Sequence, residues 1–312
     1  MSRVPLVVSV PDESYAAGLD ELEGVDVVAW DMQGPHPRGA EVRLAVMPYM
    51  THLSVRRVTE GLTSLGAIQI QSAGFENFLD GLPAGVDLCN AAGVHDASTA
   101  ELAVGLALAS LRHLPDFVVA QRDSRWLPQR DYPALADRRV LVLGYGNIGR
   151  AVVRRLLPFE VSVSVVASRA RAGDELVDTV HGIDELPELV TAADVLIVIV
   201  PLTASTHGLV DAALLARMPD GGLVVNVARG PVVDTDALVA ECATGRLRAA
   251  LDVTDPEPLP EDHPLWLTPG VLIAPHVGGA TDAMRPRAEA LIRRQVLALR
   301  DGHGLINVVA TG

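Results

Sequence analysis

Apolar residues gather in short runs along the first third of the chain. Runs rich in Val, Leu, Ile and Ala stand at 6–10, 25–29, 44–47, 67–71 and 86–88, with polar or turn residues between them. Runs of this length and β-branched content read as strands, and residues 56–62 supply a helical segment between two of them. Alternating strands and helices predict a parallel sheet with helices on both faces. The segment Gln33-Gly-Pro-His-Pro-Arg-Gly39 is a loop on its Pro and Gly content. The period then changes. Ser98-Thr-Ala-Glu101 has capping-box spacing, and a helical pattern continues through Leu102, Gly105, Leu106, Ala109, Leu111 and Leu114 until Pro115 kinks or ends it. That helix is apolar nearly all round, so it must be buried in a core or against a second subunit. The change of composition at 93–98 marks the first domain crossing.

The second half has the same rhythm. Strands are predicted at 140–143, 161–167, 195–200, 223–227, 249–251 and 271–274. A final amphipathic helix covers 281–299 despite Pro286, Gly302 ends it, and the tail 305–309 is apolar enough to pack back on the first domain. Directly after the 140–143 strand come Gly144, Tyr145, Gly146, Asn147, Ile148 and Gly149, followed by Val152, Val153 and Leu156 at helical spacing. A strand, a G-x-G-x-x-G turn and a helix in that order start a dinucleotide-binding unit. Gly144 permits the tight turn. Gly146 removes a side chain where a pyrophosphate approaches, and Gly149 lets the helix pack closely on the strand. The next strand ends Ala167-Ser168-Arg169-Ala170-Arg171, with no carboxylate at its tip for ribose hydroxyls. A hydroxyl and guanidinium groups suit a 2′-phosphate, so NADP is preferred over NAD, although Asp174 is close by and a solvated basic turn is the plain alternative. The tips of the later strands complete the candidate cofactor edge: Pro201 and Thr206, Val227 and Ala228, Asp252, then His276 and Gly278. Ligands of open α/β sheets bind at this edge.

Bulk properties narrow the function. A chain of 312 residues is long enough for about two domains, and 49% apolar content is that of a folded protein. A net charge of −14 weighs against nucleic acid and anionic membrane partners and serves solubility. Cys89 and Cys242 form no disulfide framework; they suit a reducing compartment and a place in the core. The start, Met1-Ser-Arg-Val-Pro5, lacks an apolar signal segment, and no run approaches the roughly 20 residues that span a bilayer. A cytoplasmic protein is expected. No metal site is expected.

Three residues after strands are candidates for chemistry. His276, in Ala-Pro-His-Val-Gly-Gly, carries the side chain best suited to moving a proton near neutral pH, beside small residues that leave room for a ligand. Of the other histidines, His36, His52, His181 and His303 read as surface or loop residues. Glu257 can orient a histidine and favour its charged form, or be an exposed acid in a Pro-rich loop. Arg229 can clamp a carboxylate and polarise a carbonyl, or form a surface ion pair. Ser72-Ala73-Gly74 reads as a plain turn, or as a loop whose N–H groups hold an anion.

Taken together, four motifs make the chain resemble the D-isomer-specific 2-hydroxyacid dehydrogenase family, the glyoxylate and hydroxypyruvate reductases among them. They are Gly-Tyr-Gly-Asn-Ile-Gly at 144–149, Asn-Val-Ala-Arg-Gly-Pro-Val-Val-Asp-Thr-Asp-Ala-Leu at 226–238, Leu-Asp-Val-Thr-Asp-Pro-Glu-Pro-Leu at 251–259 and Ala-Pro-His-Val-Gly-Gly at 274–279. The resemblance covers most of the chain and is strongest over 93–283. It implies two doubly wound α/β domains: a Rossmann-type cofactor domain, 96–283, inserted into a flavodoxin-like substrate domain, 1–95 plus 284–312. It implies hydride transfer between NAD(P)H and a small 2-oxo acid, with Arg229 on the substrate, His276 as acid–base group, Glu257 as its partner, and closure of a cleft that excludes water. It assigns Ser72, Ala73 and Gly74 to the substrate carboxylate, Tyr49 and Met50 to its side-chain pocket, and a homodimer to the protein, with the helix after Ser98 as its interface. The chain departs from the family pattern at Ser168, where NAD-preferring members carry Asp. It departs again at Thr254, where an aromatic residue is frequent, and at Glu160, where glycine is common. Two alternatives stay open: a dinucleotide sensor of co-repressor type, and oxidation of phosphite or formate, although formate enzymes usually carry Gln at the position of Glu257.

Overall fold

The computed structural model describes residues 5–51 and 53–312, so His52 lies outside the described residues. The chain divides into two units, Met1–His95 with Thr281–Gly312, and Asp96–Ala280. The second division falls three residues before the 283/284 crossing expected from sequence.

In chain order the first unit contributes β1 (Leu6–Val10), α1 (Glu13–Ala16), β2 (Val25–Ala29), β3 (Val42–Val46), α2 (Val55–Thr59), β4 (Ala67–Gln69) and β5 (Asp87–Cys89). The second unit opens with α3 (Asp96–Leu111) and α4 (Leu114–Arg122), then β6 (Arg139–Leu143), α5 (Asn147–Leu156), β7 (Ser162–Val166), β8 (Arg171–Ala172) and β9 (Thr179–His181). It continues with α6 (Leu186–Leu189), β10 (Val195–Val198), α7 (Ala212–Arg217), β11 (Gly222–Asn226), α8 (Thr235–Ala243), β12 (Leu247–Leu251) and β13 (Val271–Ile273). The chain returns to the first unit with α9 (Met284–Asp301) and β14 (Val308–Thr311).

The larger sheet has the order β13-β12-β11-β10-β6-β7-β9-β8, parallel except for β8. Its central strands are buried on both faces. Val140, Val142, Val195, Ile197, Leu223 and Val225 pack into one core. The alternate residues Leu141, Leu143, Leu196, Val198 and Val224 pack into another. This explains why these strands read as unbroken apolar runs rather than as alternation. The strand order reverses at β6, whose neighbours are β10 and β7. The turn after β6 therefore sits at the switch point of the sheet, where such folds bind ligands. The sheet of the first unit has the order β14-β5-β4-β3-β1-β2 and is parallel except for β14. The apolar tail does pack back, as an edge strand on β5.

Two local expectations are corrected. The long apolar helix does not start from a Ser98 cap. Asp96, an acid that suits a helix first turn, begins α3, and Ser98 and Thr99 lie buried inside it. The helix packs on α5, β11, β12 and β13 of its own unit. It stops where His113 takes a left-handed conformation, φ 56°, and α4 leaves at 65° with Pro115 in its first turn, where a missing N–H costs nothing. The Ser110 carbonyl at the end of α3 accepts both the His113 N–H, at 3.2 Å, and the Arg248 guanidinium. The second correction is His36, which is buried. Its ring meets Trp30 edge-on at 4.9 Å and accepts the Arg38 N–H at 3.0 Å, so a loop histidine here is a core residue. His181 ends β9 beside Glu185, and His303 is exposed. Cys89 and Cys242 are buried free thiols, and burial pushes each up to about 12. Among the described residues, no single helix is long and apolar enough to cross a membrane.

Candidate active site

Each glycine of the 144–149 turn has its own reason. Gly144 has φ 113°, and a Cβ there would stand 2.4 Å from the Ile199 carbonyl oxygen. A Cβ on Gly149 would stand 2.0 Å from the Gly144 oxygen, so only glycine lets α5 start this close to β6. Gly146 is different: a Cβ would meet nothing within 4 Å. Its missing side chain leaves a hollow in front of the first N–H groups of α5, which is what a pyrophosphate needs. Asn147 is exposed and Ile148 half-buried at the helix start. Tyr145 is buried, its hydroxyl donating to Asp174 at 2.9 Å, so only its backbone is offered to a ligand.

At the end of β7, Ser168, Arg169 and Arg171 are exposed. Arg171 donates to the Tyr145 carbonyl at 3.0 Å, tying this tip to the glycine turn. Asp174 does not stand loose beside it. Arg150 of α5 and the Tyr145 hydroxyl both bond its carboxylate. Thr206 accepts the Thr203 N–H at 2.8 Å and donates to the Pro201 carbonyl at 2.6 Å, which closes the loop after β10 on itself. Val227 and Ala228 are buried, so they too present backbone only.

Three adjacent strands, β11, β12 and β13, deliver the chemical groups. Asn226, the last residue of β11, is buried. Its side chain accepts the Ala228 N–H and donates to the Arg229 carbonyl, each at 3.0 Å, and so sets the turn that carries Arg229. Arg229 is half-buried, with Nη1 donating to the Ala228 carbonyl at 2.7 Å. The next residue must be glycine, since a Cβ on Gly230 would stand 1.8 Å from the Thr254 oxygen.

Asp252 follows β12 and is buried. Its carboxylate accepts the N–H groups of Val277 at 2.7 Å and Gly278 at 2.9 Å, and its carbonyl accepts that of His276 at 2.8 Å. Burial pushes its carboxyl up, against the pull of those two N–H groups. Asp252 thus anchors the loop that presents His276, which is held in a left-handed conformation, φ 54°. His276 Nδ1 lies 2.5 Å from Glu257 Oε1. That bond raises the imidazole above its ordinary 6.5, chiefly through the hydrogen bond and the adjacent charge, with burial and Arg229 opposing. Burial works to raise Glu257 in turn, but the bond to His276 and the charges of His276 and Arg229 outweigh it and hold the carboxyl low. Nδ1 being committed to Glu257, Nε2 is the nitrogen left to exchange a proton with a ligand.

In the first unit, Ser72, Ala73 and Gly74 follow β4 and are half-buried. Ser72 Oγ donates to the Gly74 carbonyl at 2.7 Å, and Asn90 Nδ2 to the Ala73 carbonyl at 2.7 Å. Tyr49 stacks on His95 at 5.4 Å, while Met50 is exposed.

The family model for the D-isomer specific 2-hydroxyacid dehydrogenase, NAD binding domain, matches residues 104–278. The chain belongs to this family. A human glyoxylate reductase/hydroxypyruvate reductase is 30% identical over 302 residues, covering 93% of this chain and 92% of the relative. A glyoxylate reductase of Thermofilum pendens is 32% identical over 266 residues, 83% of this chain and 78% of the relative. Among solved structures, a D-isomer specific 2-hydroxyacid dehydrogenase from Xanthobacter autotrophicus Py2, in complex with NADPH and MES, superposes with a TM-score of 0.83 at 28% identity. It covers 99% of this chain and 98% of that one. An NADPH-dependent glyoxylate/hydroxypyruvate reductase from Sinorhizobium meliloti, in complex with NADP and malonate, gives 0.77 at 27% identity, covering 99% and 97%.

The protein is therefore an NAD(P)-dependent 2-hydroxyacid dehydrogenase, an oxidoreductase acting on CH–OH groups. The matched NAD-binding region falls within the second unit, which holds the glycine turn, Arg229, Glu257 and His276. In this dehydrogenase the hollow at Gly146 and the N–H groups of α5 fit a dinucleotide. The sequence motifs picked out Arg229, Glu257 and His276 but missed Asn226 as the residue that shapes the Arg229 turn. A polar residue ending an all-apolar buried strand was the available signal. Asp252, expected at the cofactor edge, has a further role that residue order did not reveal: its carboxylate carries the loop of His276. The frequent glycine at the place of Glu160 is explained by φ 59° there. Thr254 donates to the Pro256 carbonyl at 2.9 Å within the Glu257 loop.

Proposed function

We propose that this dehydrogenase reduces a small 2-oxo acid, glyoxylate or hydroxypyruvate, with NADPH preferred over NADH. The observation that carries the reaction is the His276–Glu257 pair, with Arg229 close enough to act on both their charges. When bound, the nicotinamide supplies the hydride to the carbonyl carbon. His276, protonated on Nε2, gives its proton to the carbonyl oxygen as negative charge develops there. Glu257 keeps the ring oriented and charged while the proton is held. Arg229 binds the carboxylate and polarises the adjacent carbonyl oxygen through its fork of N–H donors. By the family resemblance the loop 72–74 is assigned the same carboxylate, and Tyr49 and Met50 the side-chain pocket.

The NADP reading rests on the β7 tip. Ser168 and Arg169 stand where a ribose-binding acid is expected, and the nearby Asp174 is consumed by Arg150 and Tyr145. The assignment of the first unit to substrate and the second to the dinucleotide belongs to the same proposal. So do a cytoplasmic location, which suits two unpaired buried cysteines, and a homodimer.

The test is the near-ultraviolet absorbance of reduced nicotinamide, followed with NADPH and NADH against glyoxylate, hydroxypyruvate, pyruvate and longer 2-oxo acids. Faster oxidation of NADPH by one of the first two is expected. Turnover with NADH alone would remove the phosphate site at Ser168 and Arg169. Turnover confined to longer acids would replace the substrate.

A further inference from the structure

The loop assigned to the substrate carboxylate is fixed by every carbonyl it has. Gln71 O lies 2.6 Å from His95 Nε2, Ser72 O accepts the Ala91 N–H at 2.9 Å, and Ala73 O accepts Asn90 Nδ2 at 2.7 Å. Gly74 O accepts the Ser72 hydroxyl at 2.7 Å. Three of the four donors come from the single segment 90–95. A carbonyl only accepts, so His95 carries its proton on Nε2.

These peptides are trans, so the N–H that follows each carbonyl points away from it. Carbonyls 72 and 73 are turned toward segment 90–95. The N–H groups of Ala73 and Gly74, which share those peptides, are therefore turned the other way, in a fixed pair. An array of donors held before its ligand arrives is what binding a carboxylate from water requires.

The holders are themselves held. His95 is buried and stacked under Tyr49 at 5.4 Å. Asn90 is buried too. Its N–H donates to the Asn307 carbonyl at 3.0 Å and its Oδ1 accepts the Ala92 N–H at 3.1 Å. The Gln71 side chain is fixed by the Tyr15 hydroxyl and by donation to the Met47 carbonyl at 2.8 Å.

We propose that His95 and Asn90 are positioning residues, which orient the Ala73 and Gly74 N–H groups toward the carboxylate of the 2-oxo acid. This rests on the substrate assignment of the loop made above. Neither residue needs to touch substrate, cofactor or the reacting atoms.

The experiment compares His95→Leu, His95→Gln and Asn90→Ala in the full-length protein, with thermal midpoints recorded to confirm folding. His95→Leu and Asn90→Ala are expected to raise KM for the 2-oxo acid and the Kd of oxalate by about tenfold, from a sub-ångström loosening of the donors. kcat at saturation should stay within about twofold, and the Kd of NADPH should not move. His95→Gln, whose amide N–H reaches the same place, should restore most of the oxalate affinity. A loss in cofactor binding equal to the loss for oxalate would overturn the proposal, as would a Gln variant no better than Leu, or an unchanged oxalate Kd. Should His95→Leu fail to fold, the Asn90→Ala comparison decides alone. Ala73→Pro deletes one N–H directly. If it leaves KM and oxalate binding unchanged, the loop is not the carboxylate site. If it weakens both while the His95 and Asn90 variants do not, only the positioning role is lost.

Discussion

His276 shows how much of an active-site residue's character is made by its neighbours. The Glu257 bond is the largest influence on the ring and raises its pKa above 6.5. Reduction needs the charged ring, so kcat/KM for a 2-oxo acid should hold past pH 6.5 and fall as pH rises through the raised value. Glu257→Gln keeps a hydrogen-bonding side chain but removes the negative charge. The fall should then move to lower pH, and the rise of the reverse oxidation, which needs the neutral ring, should move the same way. A pH–rate profile of each variant checks this, and an unmoved basic limb would separate Glu257 from the ring's titration. His276→Ala should lower kcat by roughly 10²–10⁴, the range for a positioned acid–base group. Near-normal steady-state turnover would remove it from the chemistry. Both residues were legible in the sequence because each stands in a motif after an apolar strand. Asp252 and Asn226 stand in the same motifs, yet their roles were not legible. Whether a buried polar side chain faces a ligand or holds a loop depends on hydrogen bonds that residue order does not contain.

At the scale of the element, the glycine turn separates two kinds of constraint that look identical in sequence. Gly149 is demanded by the fold, whereas nothing in the fold demands Gly146, which the proposed function assigns to the dinucleotide. Gly149→Ala drives a Cβ into the Gly144 carbonyl at 2.0 Å, so β6 and α5 must part. An overpacking cost of about 1–3 kcal/mol is expected, read as a lower midpoint in urea, together with weaker cofactor binding. Gly146→Ala places its Cβ in open space, and φ −92° suits any residue. Its midpoint should stay within about 0.5 kcal/mol of the parent while the Kd for NADPH rises. Equal loss of stability in both variants would contradict the division. The strands were legible because burial on both sheet faces writes an apolar run directly. The start of α3 was not. Ser98 and Glu101 carry capping-box spacing, but the helix begins earlier at Asp96, and the core of this unit takes in Ser98 and Thr99 instead. Edge strand β8 escaped for a similar reason: it is short, and its pairing is set by the sheet it joins.

For the whole molecule, the proposed homodimer requires an apolar surface on which two copies can meet. The sequence pointed to the long apolar helix, and α3 buries one side of itself inside its own unit. A run of exposed aliphatic residues lies on α4, where Leu114, Val118 and Val119 are 47%, 51% and 54% exposed, with Trp126 just beyond at 95%. Ala120 is the buried residue of this nine-residue helix, so most of its apolar surface faces outward, as a partner surface would. Two copies would bring together −14 and −14, a total of −28, so the contact must be poor in charge and apolar enough to outweigh repulsion. The α4 face meets that condition, carrying Asp116 and Arg122 as its only charges. We therefore expect a dimer by sedimentation equilibrium, strengthened rather than weakened by added salt, because salt screens the repulsion and leaves apolar burial intact. Val118→Glu with Val119→Glu should weaken association by about 4 kcal/mol, or about a thousandfold in Kd, since each substitution appears twice across a two-fold contact. A parent protein that sediments as a monomer at micromolar concentration would discard the interface. A double variant that stays dimeric would move it off α4.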